Sequence, residues 1–546
     1  MEITTDSISF EDIRKNNFLY IDKTAFIEKL INHNNRLFFL QRPRRFGKSL
    51  ILSTMLSIFN GEAELFKGLA LNSSNYEFIK YPILNFNFSN LKWKSVRLLE
   101  LDIYERICIM AQNKFDLSVK SETKSISTSL SLLVDKIKEK TDKKVVILVD
   151  EYDGPIIKAL KKPKAAMKNA ETLSEFFDTI KDLNQNKYIH FAFVTGVSKF
   201  SMTSIFSGAN VFTDISENID YANICGITID EFNNQLKAPI MEMFENKPFN
   251  VMEFKDGGAF IEALTDMYDG YSWNGDDRIF NPFSLLNAIT NHELKAYWFK
   301  SGTPTFLNKF VRSEPENAVN LEQIEMTENE LDNQTADDLS FVPLLYQTGY
   351  LTLARPLENN TYTLKIPNIE VRNALYDLIT KALVGKKLGN YKTFGKKIIF
   401  SFRENNMEEL QHNLTELINQ LQLFPSELGE RAFHVFILTF LIAAEVKKIY
   451  SELPIEGGRV DICFILDDRK AFLLELKAFH PKPHTIPTKL EDEFTENLNK
   501  AVEQLEKYYN PLFDKIPVDE IQGIALAIGW SYGVRAKLGK TVMRNQ

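Results

Sequence analysis

Four short apolar runs, Leu37–Leu40, Ile83–Phe88, Val145–Val149 and Ile189–Val194, punctuate the N-terminal part of the chain. Runs of this length, rich in β-branched and aromatic residues, suit strands buried on both faces of a sheet. Between and after them, Leu50–Phe59, Leu98–Phe115, Ser125–Lys140 and Glu171–Leu183 carry apolar residues at helical spacing. Strands alternating with helices predict an α/β domain with a parallel sheet, right-handed crossovers and both faces covered. Farther on, Phe341–Leu353 reads as a helix, a turn at Gly349 and a strand, with Tyr362–Pro367 as a hairpin partner. Helix followed by hairpin predicts a winged-helix element. Near the C-terminus, Gly457–Ile465 and Ala471–Lys477 read as strands joined by a polar turn, preceded by a helix over Glu430–Leu441 and followed by one over Ala501–Tyr509. The longest apolar run, Val435–Ala444, is bounded by polar residues and falls short of the ~18–20 residues of a membrane span. It predicts a core helix and no membrane association.

At 546 residues the chain is long enough for three domains of ordinary size. The boundaries expected are 1–225 for the parallel-sheet domain, 226–385 for a helical, winged middle region and 386–546 for the C-terminal domain. The polar, acidic stretch Ser313–Asp338 reads as a surface excursion or linker. Apolar residues make up 44% and charged residues 25%, which places the chain with ordinary globular proteins. The polar, acidic N-terminus lacks a secretory pattern, and Cys108, Cys225 and Cys463 stand far apart beside apolar residues. Buried, reduced thiols in a cytoplasmic protein are the expectation. The net charge of −8 requires that any nucleic-acid contact come from a local basic surface. Lys158–Lys168, expected in a loop, and the group Lys470, Lys477 and Lys482 are the candidates; a solvated face is the plainer reading of both.

Chemistry enters at the end of the first apolar run. Leu37–Leu40 leads through Gln41-Arg42-Pro43-Arg44-Arg45-Phe46 into Gly47-Lys48-Ser49 and a helix. A strand, a tight turn and a helix N-terminus place backbone N–H groups where they cradle phosphate oxygens. Arg44, Arg45, Phe46 and Gly47 form that cradle, Lys48 reaches the β/γ-phosphates and the Ser49 hydroxyl binds Mg²⁺. The first glycine of the usual phosphate-loop pattern is replaced by Arg42. The third apolar run ends in Asp150-Glu151. At the carboxyl end of a strand, Asp150 is placed to hold Mg²⁺ and Glu151 to orient or deprotonate the attacking water. Thr195, past the fourth run, is the candidate sensor of the γ-phosphate, and Lys199 could neutralise charge in the transition state.

The C-terminal strands carry a second constellation. Glu475 and Lys477 are two apart and share a face. Asp461 joins that face if the hairpin loop is odd or a bulge shifts the register by one. Asp461 and Glu475 are then expected to bind Mg²⁺ while Lys477 positions a metal-bound water against a phosphodiester. A structural ion pair is the alternative for Glu475 and Lys477. Glu430 could be a further acidic member, and His434 reads as a core or capping residue.

The segments Arg42–Ser49, Val149–Asp153 and Thr195–Ser198 resemble the bacterial AAA-ATPase-like family. Phe18–Thr24, Ser204–Gly208, Tyr268–Tyr271 and Asn281–Leu286 extend the resemblance. It implies that Arg42 is a family trait, and it implies ATP as ligand and Mg²⁺ as its companion. Members commonly join the ATPase domain to a PD-(D/E)XK nuclease-like domain, which Asp461, Glu475 and Lys477 resemble; Glu430 with Phe433-His434, and Gln504 with Tyr508, match its flanking helices. The implied protein is an ATPase gating a metal-dependent nuclease, with DNA favoured over RNA as partner and homo-oligomers conceivable. A nucleotide-switched interaction protein with an inactive nuclease fold is the alternative.

Overall fold

The computed structural model describes residues 3–5, 9–74, 76–160, 162–199, 212–246, 256–302, 321, 324–327, 330–331, 340–356, 358, 361–384, 391–420, 430–444, 446, 448–467, 469–482, 484–529 and 532–544. The Ser204–Gly208 motif, Lys161 and most of the Ser313–Asp338 stretch lie outside them. The chain divides into two compact units, one built from Met1–Phe306 and Leu321–Arg372, the other mainly from Asn373–Gln546.

The first unit is organised by a five-stranded sheet: β1 (Leu37–Gln41), β2 (Ile83–Asn87), β3 (Val145–Asp150), β4 (Ile189–Gly196) and β5 (Thr213–Asp214). Their order is β2-β3-β4-β1-β5 and every pairing is parallel. β1 and β3 are buried along their whole length, as continuous apolar runs demand. Helices α1 (Lys48–Phe59), α2 (Val96–Phe115), α3 (Ile126–Thr141) and α4 (Pro163–Gln185) connect and cover the strands. The register aligns Asn87 with Asp150 and Leu40 with Thr195, so the candidate polar residues converge at one sheet edge. That edge, the carboxyl ends of the strands, is where α/β sheets receive ligands.

One local expectation fails here. The basic run from Lys158 is helical, split between Gly154–Ala159 and α4. Pro163 sits at the first turn of α4 and is followed by Ala165 and Ala166, a start that favours helix over loop. The helix, the turn at Gly349 and the antiparallel hairpin pairing form as read. Helix α5 (Phe341–Thr348) ends at Gly349, whose φ of +89° is left-handed, and lies in the chain between the first and second strands of a three-stranded antiparallel sheet. Its strands are β6 (Ile324–Thr327), β7 (Thr352–Leu353) and β8 (Thr361–Lys365).

The second unit contains α6 (Glu430–Ala443), β9 (Lys448–Ile455), β10 (Gly458–Asp467), β11 (Lys470–Phe479), α7 (Pro487–Phe513), β12 (Glu520–Gly529) and β13 (Gly533–Met543). The sheet runs β9-β10-β11-β12-β13, with β11 and β12 parallel across the α7 crossover and the other pairs antiparallel. Leu505, Tyr509 and Leu512 of α7 pack with Val460, Cys463 and Leu473 in one core. Phe464 stacks on Phe472, and Phe402 packs edge-on and tilted against the pair in a separate aromatic cluster. Val435–Ala444 is a core helix, and among the described residues no helix is long and apolar enough to cross a membrane. Cys225 and Cys463 are buried free thiols, whereas Cys108 on α2 is only partly buried.

Candidate functional site

The loop between β1 and α1 is held by its own side chains. Arg45 (φ +66°) and Gly47 (φ +95°) are both left-handed, and Gly47 directly precedes Lys48 at the start of α1. Such alternation turns successive N–H groups into one concavity, an anion-binding arrangement. A Cβ at Gly47 would meet nothing within 4 Å, so its φ, and not crowding, calls for glycine.

Arg42, the departure from the usual pattern, is fully buried. Its Nη1 donates to the carbonyls of Gln41 (2.8 Å) and Ser216 (2.7 Å), and Nη2 to those of Tyr221 (3.3 Å) and Ala222 (3.2 Å). The guanidinium carbon lies 4.3 Å from the centre of a Trp273 ring. Burial pushes its pKa down to about 10, so it stays charged at neutral pH. Arg42 therefore ties the loop to the 216–222 segment and Trp273. Phe46, expected among the ligand-binding residues, is also fully buried, edge-on to Tyr271 (4.7 Å) and Trp273 (5.1 Å). Its side chain is core, and only its backbone is available to a ligand. Arg44 and Arg45 are exposed; the Arg44 carbonyl accepts from Trp298 Nε1 at 3.0 Å, and Arg45 lies over Phe283 at 4.8 Å. We expect Arg42→Ala to orphan these carbonyls, lower stability by about 3 kcal/mol or more and loosen the loop. Thermal melting and nucleotide affinity should fall together; an unchanged melting temperature contradicts this role.

The polar residues form a connected set. Ser49 Oγ donates to Asp150 Oδ2 at 2.6 Å, and Thr195 Oγ1 donates to Asp150 Oδ1 at 2.7 Å. Lys48 Nζ donates to the carbonyls of Arg42 and Pro43, both at 2.8 Å. An ammonium has three donors, so one remains for an anion. Burial lowers the Lys48 pKa, with Asp150 the main opposing influence. Glu151 follows β3 with φ +51°, a strained setting for a non-glycine residue. Burial, then Asp150, raises its pKa above the ordinary carboxylate range. Thr195 is fully buried, so its hydroxyl orients Asp150. Lys199 is neither solvated nor free to meet a phosphate in this arrangement: its ammonium is held by Glu217 (3.0 Å) and Asp214 (3.1 Å).

Asp153, to which the sequence assigns no role, is 1% exposed. Its Oδ2 accepts from Val197 N (3.0 Å), Ser198 N (2.7 Å) and Ser198 Oγ (2.6 Å), fixing the segment beyond Thr195. The signal was its place in Asp-Glu-Tyr-Asp. Hard oxygen donors from Ser49 and Asp150, 2.6 Å apart beside a helix N-terminus, suit Mg²⁺ accompanying a polyphosphate.

In the second unit, β10 and β11 pair with a register shift between Ile465 and Asp467. That bulge pairs Ile462 with Leu474, a register that continues to set Asp461 level with Glu475 on one face, as the sequence requires for a shared site. Asp461 Oδ2 accepts from Leu476 N at 2.7 Å. Lys477 Nζ donates to Glu475 Oε1 (2.8 Å) and the Leu476 carbonyl (2.9 Å), and Glu430 Oε1 lies 3.9 Å from it. Glu475 is 1% exposed and its Oε2 is buried without a hydrogen-bond partner. Burial raises the pKa of both Asp461 and Glu475, and their mutual repulsion adds to the rise at Glu475. Tyr508 packs against Gly458, where a Cβ would meet its hydroxyl at 2.8 Å. Glu452, unmarked in the sequence, sits on β9 with φ +50°, interrupting the ladder opposite Asp461. His434 is a core residue: Nε2 lies 3.0 Å from Ser451 Oγ, and burial lowers its pKa to about 4. Among the described residues, no group of three or more His, Cys, Asp and Glu side chains is arranged to hold a metal; the paired carboxylates here are two.

A family model described as predicted AAA-ATPase matches residues 6–206. An uncharacterized protein in the vnfD 5' region of Azotobacter chroococcum mcd 1 is 32% identical over 375 residues, spanning 68% of each chain. Two solved structures each align with 68% of this chain at 11% identity. One is a chain of Drosophila ORC bound to AT-rich DNA and Cdc6, covered to 92% with a TM-score of 0.21. The other is the Aeropyrum pernix ORC2 protein, covered to 98% with a TM-score of 0.27.

Proposed function

This chain belongs to the predicted AAA-ATPase family, and from that premise we propose that its first unit binds ATP with Mg²⁺ and hydrolyses it. The observation that carries the proposal is the Ser49–Asp150–Thr195 chain beside Lys48 at the opening of α1. Ser49 and Asp150 would hold Mg²⁺, which would neutralise charge on the β- and γ-phosphates. The N–H groups of Arg44 to Lys48 and the free Lys48 donor bind phosphate oxygens. Thr195 fixes the Asp150 rotamer. Glu151, with its raised proton affinity, orients the attacking water and takes its proton. The test is phosphate release by the full chain in Mg²⁺: Ser49→Ala should lose turnover while remaining folded, and equal rates for the two proteins reject the site.

A second reading concerns the second unit: a metal-dependent phosphodiesterase of PD-(D/E)XK type, acting on DNA and controlled by nucleotide state. It is favoured by the placement of Asp461 opposite Glu475, with Lys477 bonded to the latter. Asp461 and Glu475 would hold Mg²⁺, which would polarise the phosphodiester and its attacking water. Lys477 keeps a cation beside the pair. Cleavage of plasmid in Mg²⁺ or Mn²⁺, compared with and without ATP, tests both activity and control. Binding without cleavage favours instead a nucleotide-switched interaction protein with an inactive nuclease fold. The cytoplasmic setting and homo-oligomeric assembly remain part of this proposal.

A further inference from the structure

Two segments leaving neighbouring strands bring exposed cations together at the edge of the nucleotide site. The segment after β2 carries Lys92, Lys94 and Arg97; the one after β3 carries Lys162, Lys164 and Lys168, and all six are exposed. The segments are fastened to each other. Phe88 N donates to the Asp150 carbonyl at 2.9 Å, directly beside Glu151. A Cβ at Gly154 would lie 2.9 Å from the Phe88 carbonyl, so the backbones touch where only glycine fits. Asn169, 1% exposed, donates from Nδ2 to the carbonyls of Trp93 and Pro155, both at 3.0 Å. Lys158 donates to the Ser89 carbonyl. Trp93 and its flanking lysines are thereby fixed one residue from Lys168.

The side-chain charges of this surface are not neutralised by ion pairs. Ion pairs among the described residues use none of the six cations. Arg97 lies in the first turn of α2, and Lys162 and Lys164 flank the start of α4; neither first turn holds an acidic residue. A helix N-terminus is already positive, so cations there repel it. Glu100 and Glu171 follow Arg97 and Lys168 by three residues without forming an ion pair with them, and Asp102 Oδ2 accepts from Lys92 N at 3.1 Å and lies 3.7 Å from Arg106 Nε. In a chain of net charge −8 this is a concentrated basic surface. Only half of it is contiguous in the sequence, because Lys92–Arg97 is some seventy residues away and reaches the patch through folding.

We propose that this surface binds the phosphodiester backbone of nucleic acid, without sequence preference, next to the ATP loop. A polyanion replaces the missing carboxylates and is favoured by both helix N-termini. Because Phe88 and Gly154 touch beside Glu151, strand binding and the nucleotide site share one backbone contact. That coupling rests on the ATPase reading; the binding does not.

The test uses the full chain and labelled single- and double-stranded DNA and RNA, titrated between about 50 mM and 200 mM salt. The triple variant Lys162→Glu, Lys164→Glu, Lys168→Glu should bind at least tenfold more weakly. With duplex DNA its salt slope should fall by about 0.9 for each lost phosphate contact. Lys136→Glu, Lys138→Glu, Lys140→Glu on α3 carries the same charge change and should keep affinity within about threefold. Equal losses in both variants, displacement by polyglutamate as effective as by DNA, or no binding by the unaltered chain at low salt would overturn the proposal. Lys48→Ala separates the two readings. Intact DNA binding with ATP binding weakened at least tenfold in that variant supports this surface and the ATP loop independently. Unchanged ATP affinity there rejects the loop and leaves the surface standing.

Discussion

Glu151→Gln is expected to lower ATP turnover by about 10²- to 10⁴-fold, the usual contribution of a positioned proton acceptor, while ATP affinity stays nearly unchanged. The substitution keeps the side chain's shape and hydrogen-bonding reach and removes only its basicity. Glu151 is raised in pKa by burial and by Asp150, and Lys48 and Arg44 oppose the rise. A carboxylate shifted upward is the better base near neutral pH, so losing it should be felt in kcat. The left-handed backbone at residue 151 makes no demand on the side chain's charge, so folding should be spared. Single-turnover kinetics beside equilibrium binding gives the measurement. Equal turnover in the two proteins would assign the proton to another group, with Asp153 excluded by its three donors from Val197 and Ser198.

The second large effect belongs to the second unit. Lys477→Ala should cut any Mg²⁺-dependent cleavage by about 10²-fold or more, and it leaves Glu475 buried with neither oxygen bonded. Asp461→Asn should abolish cleavage but act oppositely on stability. The carboxyls of Asp461 and Glu475 are raised to about 7 and about 8, above the values they take in the unfolded chain. The folded protein therefore binds more protons than the unfolded one between about pH 4 and pH 8. Stability in chelator should fall as pH rises through that window and level off above it. Asp461→Asn removes one member of the pair, so it should flatten that fall and match or exceed the parent's melting temperature at pH 8. It should also lose any rise produced by Mg²⁺, since a ligand stabilises only the state that binds it. A variant that melts lower at pH 8 yet still cleaves would make Asp461 a structural ion-pair member.

Much of this arrangement was legible because the information was local. Strands β1 to β4 follow apolar runs, α1 follows Gly47-Lys48-Ser49, and the turn after α5 follows from Gly349 between a helix and a strand. The Asp461–Glu475 pairing was legible only as a condition, since the bulge near Asp467 lies in the backbone and has no residue signature. What escaped was non-local. Arg42 looked like a missing glycine because its acceptors at Ser216, Tyr221 and Ala222 are remote in sequence. Phe46 looked like a loop residue because Tyr271 and Trp273, its packing partners, are equally distant. Lys199 looked free until Asp214 and Glu217 folded against it. Glu452 carried no pattern at all, and its left-handed backbone and its place beside His434 and Asp461 emerge only in the fold.

The claim on which the rest depends is that the loop before α1 binds the β- and γ-phosphates through Lys48. Calorimetric titration of ATP·Mg²⁺ into the full chain and into Lys48→Ala addresses it directly. Loss of a charge-assisted hydrogen bond worth about 1.5–3 kcal/mol predicts binding weaker by about 10- to 100-fold. The same ATP affinity in both proteins would contradict the assignment of this loop.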